Sequence, residues 1–197
     1  MRLHTLPKTK NLQGKRVLVR VDWNIPLDGS LEPEASLKVE RSLLGIKALS
    51  KRGAIVIVMT HLGRPKKRET SLSTKQLVPL LRDVYGLSVM FHGEGVSDAS
   101  ARKKLSVRLV TAEPGTIHLL ENVRFEVGEE KNLVSLAKAY ASLADVFVND
   151  AFASCHRAHA SVVGVAKLLP AFAGLALIEE VKTLSVLLKQ PKRPFVA

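Results

Sequence analysis

The sequence predicts an α/β fold, a three-layer domain with a mostly parallel β-sheet and helices on both faces. Short runs of apolar and β-branched residues alternate along the chain with longer segments whose apolar residues recur every three or four positions. The run at 54–59 is apolar throughout, which is typical of a strand buried on both faces of a parallel sheet. The 197 residues are enough for one well-buried domain and are short for two.

The individual elements follow from residue periodicity and from serine, glycine and proline at their ends. Strands are expected at 16–21, 54–59, 87–91, 107–110, 116–120 and 146–148. Helices are expected at 36–53, 73–86, 97–106, 133–143, 156–169 and 175–189. A serine can cap the start of each of the first two helices, and a glycine ends each of them. The closing residues 195–197 have the character of a further strand.

Polar side chains follow four of these strands, at the point where each strand ends. They are Asp22 and Asn24, then His61 and Arg64, then Arg124, and finally Asn149 and Asp150 with Arg157. Consecutive βαβ units with right-handed crossovers place such strand ends along one edge of the sheet. Ligands of open α/β sheets bind beyond that edge. The alternative is four unrelated loop clusters that share no site.

Three arginines and a histidine that met at this edge would form an anion site, because the planar guanidinium group binds phosphate through two parallel hydrogen bonds. The predicted helix start at His156 would add the partial positive charge of a helix N-terminus. The net charge of +12 also favours anionic ligands. A basic surface that only aids solubility is the alternative explanation of this charge.

Lys38 is a further candidate, since it falls in the first turn of the helix predicted at 36–53. A cation opposes the helix dipole there and costs a little stability, which suggests a functional reason for it. An exposed lysine that is merely solvated is the other interpretation.

Other classes of function receive less support from the sequence. No apolar run is long enough to span a bilayer, and the single cysteine fits a reducing compartment such as the cytoplasm. Cys155 beside His156 could be a thiolate nucleophile, although an inert thiol is the simpler interpretation. His156 and His159 have helical metal-ligand spacing but lack a third ligand. The chain contains no P-loop pattern, and the run at 93–98 lacks the third glycine of a dinucleotide motif.

Five motifs resemble the N-terminal half of phosphoglycerate kinase in order and spacing. They are VRVDWNIPLDG at 19–29, THLGRP at 60–65, LLENVRFEVGEEKN at 119–132, DVFVNDAFASCHRAHAS at 145–161, and AGLALIEEV at 173–181 followed by RPFVA at 193–197. The resemblance covers nearly the whole chain. It implies a Rossmann-like domain that binds 3-phosphoglycerate.

The resemblance also implies roles for particular residues. The phosphate end of the substrate would be bound by His61, Arg64, Arg124 and Arg157, and Gly63 would also belong to the substrate-binding residues. The hydroxyl and carboxylate end would be bound by Asp22 and Asn24. Supporting positions would be held by Arg20, His156 and His159. Lys38 stands where the family has its catalytic arginine, so it keeps the charge that stabilises the transferring phosphoryl group and loses the guanidinium fork.

The family resemblance divides the chain into a substrate-binding domain at 1–174, a helix at 175–190 that leads to the interdomain hinge, and at 191–197 the start of a nucleotide-binding domain that this chain lacks. Mg-ATP or Mg-ADP would be the co-substrate and would bind to that other half. The expected partners are 3-phosphoglycerate and the nucleotide domain, with no membrane or nucleic acid, in a cytoplasmic monomer. This half alone would bind substrate without turning it over. The alternative function is a degenerate, non-enzymatic basic fragment that binds polyanions or a partner.

Overall fold

The computed structural model describes residues 3–26 and 33–189 and contains a six-stranded sheet in which every pairing of strands is parallel. The strands are β1 Arg16–Arg20, β2 Ile55–Met59, β3 Met90–His92, β4 Ile117–Leu120, β5 Val146–Asn149 and β6 Ala171–Ala173. Their order across the sheet is β3-β4-β2-β1-β5-β6. The predicted α/β fold class is confirmed. The expected strand at 195–197 and the domain start at 191–197 lie outside the described residues.

Five α-helices accompany the sheet in the described part of the chain: α1 Pro33–Lys51, α2 Leu77–Asp83, α3 Ala99–Val110, α4 Val134–Ala141 and α5 Leu175–Lys189. Short 3₁₀ turns lie at Thr70–Leu72, Thr74–Gln76, Val123–Phe125 and Phe152–Ser154, and one π-helical turn at Ala160–Gly164. None of the described helices is long and apolar enough to cross a membrane.

The sheet separates two hydrophobic cores, which accounts for the three layers. Alternate residues of each strand point to opposite faces, so Val17 and Val19 belong to one core and Leu18 to the other. The first core is closed by apolar residues of α1 and α2, and the second by those of α3 and α4. Because both faces are covered, β2 is apolar and buried along its whole length, as the run at 54–59 predicted.

The register of the central strands brings their carboxyl ends level with one another. Arg20 in β1 is paired with Met59 of β2 on one side and with Asn149 of β5 on the other. The amide of Asp150 donates to the carbonyl of Arg20 at 2.8 Å, and the amide of Val123 donates to the carbonyl of Thr60 at 3.1 Å. The polar residues that follow β1, β2, β4 and β5 therefore emerge at one edge of the sheet.

Several predicted boundaries were wrong. Helix α1 begins at Pro33, and Ser36 lies inside it, where its hydroxyl donates to Glu40 at 2.8 Å. The strand predicted at 107–110 is the last turn of α3, because Leu105 and Leu109 lie one turn apart and are both buried. Ser73 caps a 3₁₀ turn by accepting a hydrogen bond from the amide of Lys75, and α2 follows it.

Strand β6 was not predicted. Its three residues, Ala171–Ala173, carry no periodicity that distinguishes a strand from a loop. The strand forms because the residues of β5 offer a parallel partner, with Val148 paired to Phe172, and because Thr5 bridges to Ala173 from the N-terminal segment. Tertiary pairing therefore overrides weak local preference here.

Candidate functional site

The carboxyl edge of the sheet gathers a group of cationic and imidazole side chains, here called the basic cluster: Arg20, His61, Arg64, Arg124 and Arg157. Arg20 donates from Nη2 to Nδ1 of His61 at 3.1 Å. The charges of Arg157 and Arg64 are close enough to Arg124 to help lower its pKa, after burial, which is the largest cause. The four sequence-predicted members His61, Arg64, Arg124 and Arg157 are thus brought together, with Arg20 behind them.

The peptide of Gly63 connects two of the candidate residues. Its N–H donates to Oδ1 of Asn24 at 2.7 Å, and its carbonyl accepts from Nη1 of Arg124 at 2.8 Å. Gly63 has a φ of +57°, and a Cβ there would lie 2.8 Å from a methyl carbon of Leu72, so a larger residue would be strained. Since the Asn24 oxygen is occupied, its NH₂ group is the part that can donate to a ligand.

Arg124 is held by the turn that follows β4. The side chain of Asn122 accepts from the amide of Arg124 at 3.0 Å and donates to the carbonyls of Leu62 and Leu72, both at 2.8 Å. The Arg124 side chain is only 6% exposed, and its Nε lies 3.6 Å from the carboxylate of Glu130. This guanidinium is fixed in place before any ligand arrives, which favours tight and selective binding.

His61 differs from its neighbours because it carries no charge at neutral pH. Burial lowers its pKa to about 3, and the cations Arg20, Arg124 and Arg157, together with His159, add to the effect. The arginines therefore supply the positive charge of the cluster, and His61 supplies a neutral ring.

The predicted start of the helix at 156–169 was wrong, because the helical segment begins at Ala160. His159 is extended, with φ −97° and ψ 157°, and the helical segment that follows is the π-helical turn Ala160–Gly164. The first amides of that turn are already occupied, since Ala160 donates to the carbonyl of Glu129 at 2.9 Å and Ser161 to its carboxylate at 3.0 Å. The positive end of this segment consequently faces the carboxylate of Glu129. These amides therefore do not make the contribution to anion binding that was expected of a helix start at His156.

The loop residues 155–159 occupy different environments. Arg157 is half-buried, and its Nε donates to Nε2 of the exposed His156 at 3.3 Å, so His156 neighbours the cluster. His159 lies 3.8 Å from the Glu129 carboxylate, behind the cluster. Cys155 accepts from Nδ2 of Asn149 at 3.3 Å, and partial enclosure of its sulfur raises its pKa, which favours the inert thiol over a nucleophile.

Lys38 and Asp22 lie on a separate cleft of about 280 Å³ between α1 and α5. The cleft is also lined by Arg41, Asp150 and Glu180. Lys38 is exposed and lies in the second turn of α1, because the helix starts earlier than predicted, so the argument from the helix dipole was wrong. Lys38 and Asp22 nevertheless line the same cleft, which the pattern of polar residues at the strand ends did not indicate.

Sequence reasoning missed Arg41, which forms an ion pair with Glu180 of α5 across this cleft. A usable signal was present, because Arg41 follows Lys38 by three positions and residues with that spacing share one face of a helix. No group of three or more histidine, cysteine or acidic side chains suited to a metal ion occurs among residues 3–26 and 33–189.

Asp150 anchors the start of α5. Its Oδ1 accepts from the amide of Leu177 at 3.1 Å, in the place that a capping side chain would fill. A Cβ on Gly174 would lie 2.2 Å from this oxygen, so glycine is required for the carboxylate to approach. Burial raises the pKa of Asp150 to about 6 from its ordinary value of 3.8, although the amides of Leu177 and Ala176 act in the opposite direction.

Replacing Asp150 by asparagine is expected to change the pH dependence of stability. A raised folded-state pKa means that the folded protein binds the Asp150 proton more tightly than the unfolded chain does. The stabilisation that this proton contributes is therefore complete below pH about 4 and is lost as the pH rises through about 6. A shift of this size corresponds to about 3 kcal/mol. Urea unfolding across that window should show a flatter profile in Asp150→Asn than in the unmodified chain, and parallel profiles would contradict the assignment.

The fold and the basic cluster define the class: a parallel α/β domain whose sheet carries a group of cationic side chains at its carboxyl edge. The model of the family described as phosphoglycerate kinase matches residues 8–197, and the chain belongs to that family. It corresponds to the N-terminal half of the family's proteins. The predicted family resemblance is confirmed.

Individual relatives agree with this assignment. The chain is 44% identical over 193 residues to a phosphoglycerate kinase of Leptospira biflexa, covering 98% of this chain and 47% of the relative. It is 45% identical over 184 residues to a phosphoglycerate kinase of Thermus thermophilus, covering 93% of this chain and 45% of the relative. The solved phosphoglycerate kinase of Coxiella burnetii matches with a TM-score of 0.80 and 35% identity over 98% of this chain and 47% of that one. The chain thus spans about half the length of the curated relatives it matches.

Proposed function

We propose that this chain is the substrate-binding half of a phosphoglycerate kinase, which binds 3-phosphoglycerate or 1,3-bisphosphoglycerate at the carboxyl edge of its sheet. The observation that carries the proposal is that Arg124 and Arg157 lie near the neutral ring of His61, while Arg64 lies near Arg124. Guanidinium groups bind phosphate through paired hydrogen bonds, and a buried, fixed member such as Arg124 supplies geometry as well as charge.

In this proposal the 3-phosphate lies on His61, Arg64, Arg124 and Arg157. Asn24 donates from its NH₂ group to the hydroxyl and carboxylate end, because its oxygen is held by Gly63. Asp22, which shares the cleft with Lys38, binds the substrate hydroxyl. Arg20 within the cluster, and His156 and His159 next to it, support the ligand-binding residues without binding the ligand directly.

Lys38 is proposed to face the phosphoryl group that is transferred. Lys38 is exposed and lines the same cleft as Asp22. A lysine provides a point charge for the charge that develops on the phosphoryl oxygens, whereas an arginine would provide a fork as well. Lys38 is therefore the proposed catalytic residue of this half.

The complete reaction needs a second substrate. We expect Mg-ADP or Mg-ATP to bind the other half of the family's proteins, since phosphoryl transfer depends mainly on holding both substrates in line. In this proposal residues 1–174 bind the substrate, α5 and residue 190 lead towards the hinge, and 191–197 begin the nucleotide domain. The protein is expected to be a cytoplasmic monomer, with 3-phosphoglycerate and the nucleotide domain as its partners and no nucleic acid or membrane.

The purified chain is expected to bind 3-phosphoglycerate weakly and in a salt-sensitive way, and to form no ATP from 1,3-bisphosphoglycerate and ADP. Binding is retained because the whole proposed site lies within residues 20–157. Calorimetric titration at low and moderate salt measures the affinity, and a luminescent ATP assay measures turnover. 2-Phosphoglycerate is the matched control ligand, because it has the same groups with the phosphate moved.

A site built for 3-phosphoglycerate should discriminate between these two isomers. Equal affinity for both, together with tighter binding of tripolyphosphate in proportion to its charge, would instead favour the polyanion-binding fragment. ATP formation by the chain alone would contradict the assignment of the nucleotide site to the other half.

A further inference from the structure

A buried carboxylate lies directly behind the basic cluster. Glu129 is 1% exposed, and the nearby Arg20 is equally buried at 1%. Burying a carboxylate is costly unless hydrogen bonds and opposite charge compensate for it. Glu129 accepts from the amide of Ser161 at 3.0 Å and from its hydroxyl. Burial raises the pKa of Glu129, and these hydrogen bonds and the charges of Arg20 and Arg124 act in the opposite direction. These contacts make Glu129 the only acidic group with a path of hydrogen bonds to His61 among the bonds described.

When Glu129 is ionised, the direction of each hydrogen bond in this path follows from which groups can donate. The Ser161 hydroxyl donates its single hydrogen to Glu129, so its oxygen lone pairs face Arg20 and accept from Nε at 3.1 Å. Arg20 also donates from Nη1 to the carbonyl of Val21 and from Nη2 to Nδ1 of His61 at 3.1 Å. A guanidinium group can only donate.

The hydrogen bond from Arg20 determines which nitrogen of His61 carries the hydrogen. Because Arg20 donates to Nδ1, that nitrogen cannot carry a hydrogen, and the neutral ring must carry its hydrogen on Nε2. The ring then has a neutral donor available on the nitrogen that Arg20 does not contact.

We infer that Glu129 is a positioning residue that acts through Ser161 and Arg20 to hold His61 in the tautomer with hydrogen on Nε2. His61 then offers an anion a neutral N–H donor among the arginines of the cluster. The inference rests on the proposed function only in naming that anion as the phosphate of 3-phosphoglycerate.

The surroundings of His61 explain why a fixed neutral tautomer is useful. The groups that face it are Arg20 from β1, Arg124 from the turn after β4, and Arg157 and His159 from the loop after β5. A protonated ring would add one more charge to this set and would lose its acceptor for Arg20. A neutral donor binds a phosphate oxygen without that repulsion.

The test measures the tautomer directly, in the absence of ligand. Long-range ¹H–¹⁵N correlation spectra distinguish a histidine nitrogen that carries hydrogen from one that does not. In the unmodified chain, His61 is expected to show hydrogen on Nε2 alone throughout pH about 5–8, where an ordinary histidine titrates. Hydrogen on Nδ1, or titration in this range, would overturn the inference.

Glu129→Gln is the first variant, because glutamine keeps the shape but has one acceptor oxygen for the two Ser161 donors. Ser161→Ala is the second, since it keeps Glu129 and removes the link to Arg20. Both are expected to give mixed tautomers at His61 and to lower 3-phosphoglycerate affinity by at least severalfold. The second variant keeps the inference testable if the first does not fold.

The matched control is Glu126→Gln. Glu126 is also buried, at 8% exposure, and accepts from the amide and hydroxyl of a serine, Ser97, but it has no described bond to Arg20 or His61. It should leave the His61 tautomer unchanged. A folded Ser161→Ala protein with a single, unchanged His61 tautomer would overturn the inference. A tautomer that depends on Ser161 in a chain that does not bind 3-phosphoglycerate would support the positioning role and count against the proposed function.

Discussion

Replacing Arg20 by methionine is expected to lower the free energy of unfolding by about 3–5 kcal/mol. Methionine fills much of the same volume, so the loss would come from charge and hydrogen bonding. Arg20 is 1% exposed and bonds to Ser161, Val21 and His61. Without it, the buried carboxylate of Glu129, which is linked to Arg20 through Ser161, loses a compensating cation, and a buried charge left uncompensated is strongly destabilising.

Urea unfolding followed by circular dichroism measures this effect. The control is Arg82→Met, because the Arg82 side chain is 67% exposed and forms a surface ion pair with its neighbour Asp83. The control should leave the unfolding midpoint unchanged, as surface substitutions usually do. Equal, small losses from the two substitutions would show that Arg20 and Glu129 are not energetically linked.

Replacing Arg157 or Arg64 by alanine is expected to reduce the affinity for 3-phosphoglycerate tenfold or more. A charge-assisted hydrogen bond contributes about 1.5–3 kcal/mol, which corresponds to roughly a tenfold to hundredfold change in affinity. Arg64 and Arg157 lie on separate loops, and the charge of each acts on Arg124. Each substitution therefore removes one cation from the proposed phosphate site. The fold should be retained, because Arg64 is exposed and Arg157 is half-buried.

Lys66→Ala and Lys67→Ala are the matched controls. Both lysines are exposed on the loop that carries Arg64, so their removal changes the net charge by the same amount. Calorimetric titration should show little effect, since exposed charges contribute about 0–1 kcal/mol. Losses of equal size from the lysines and the arginines would favour non-specific polyanion binding over the proposed substrate site.

The sheet was predictable because its signal is local. The apolar run at 54–59 forms the buried strand β2, and the polar residues that follow the central strands in the sequence lie at the ends of those strands in the fold. Strand order was not predictable, because it depends on which βαβ units pack beside one another. β6 was missed since its alanine-rich residues form a strand only when β5 offers them a partner.

The residues of the basic cluster were predictable from the strand ends, but the hydrogen bonds and charge states that organise the cluster were not. Nothing in the spacing indicated that Glu129 would occupy the amides of Ala160 and Ser161, which removed the expected helix start at His156. The neutral state of His61 likewise depends on burial and on cations contributed by three separate segments. These are tertiary properties, and residue type alone does not reveal them.

A crystal structure of the chain with 3-phosphoglycerate tests the central claim most directly. The proposal predicts that the phosphate lies within hydrogen-bonding distance of His61 Nε2 and of Arg64, Arg124 and Arg157, with the carboxylate end directed towards Asp22 and Asn24. A phosphate bound instead on the exposed loop of Lys66 and Lys67, while the basic cluster remains empty, would contradict the proposal.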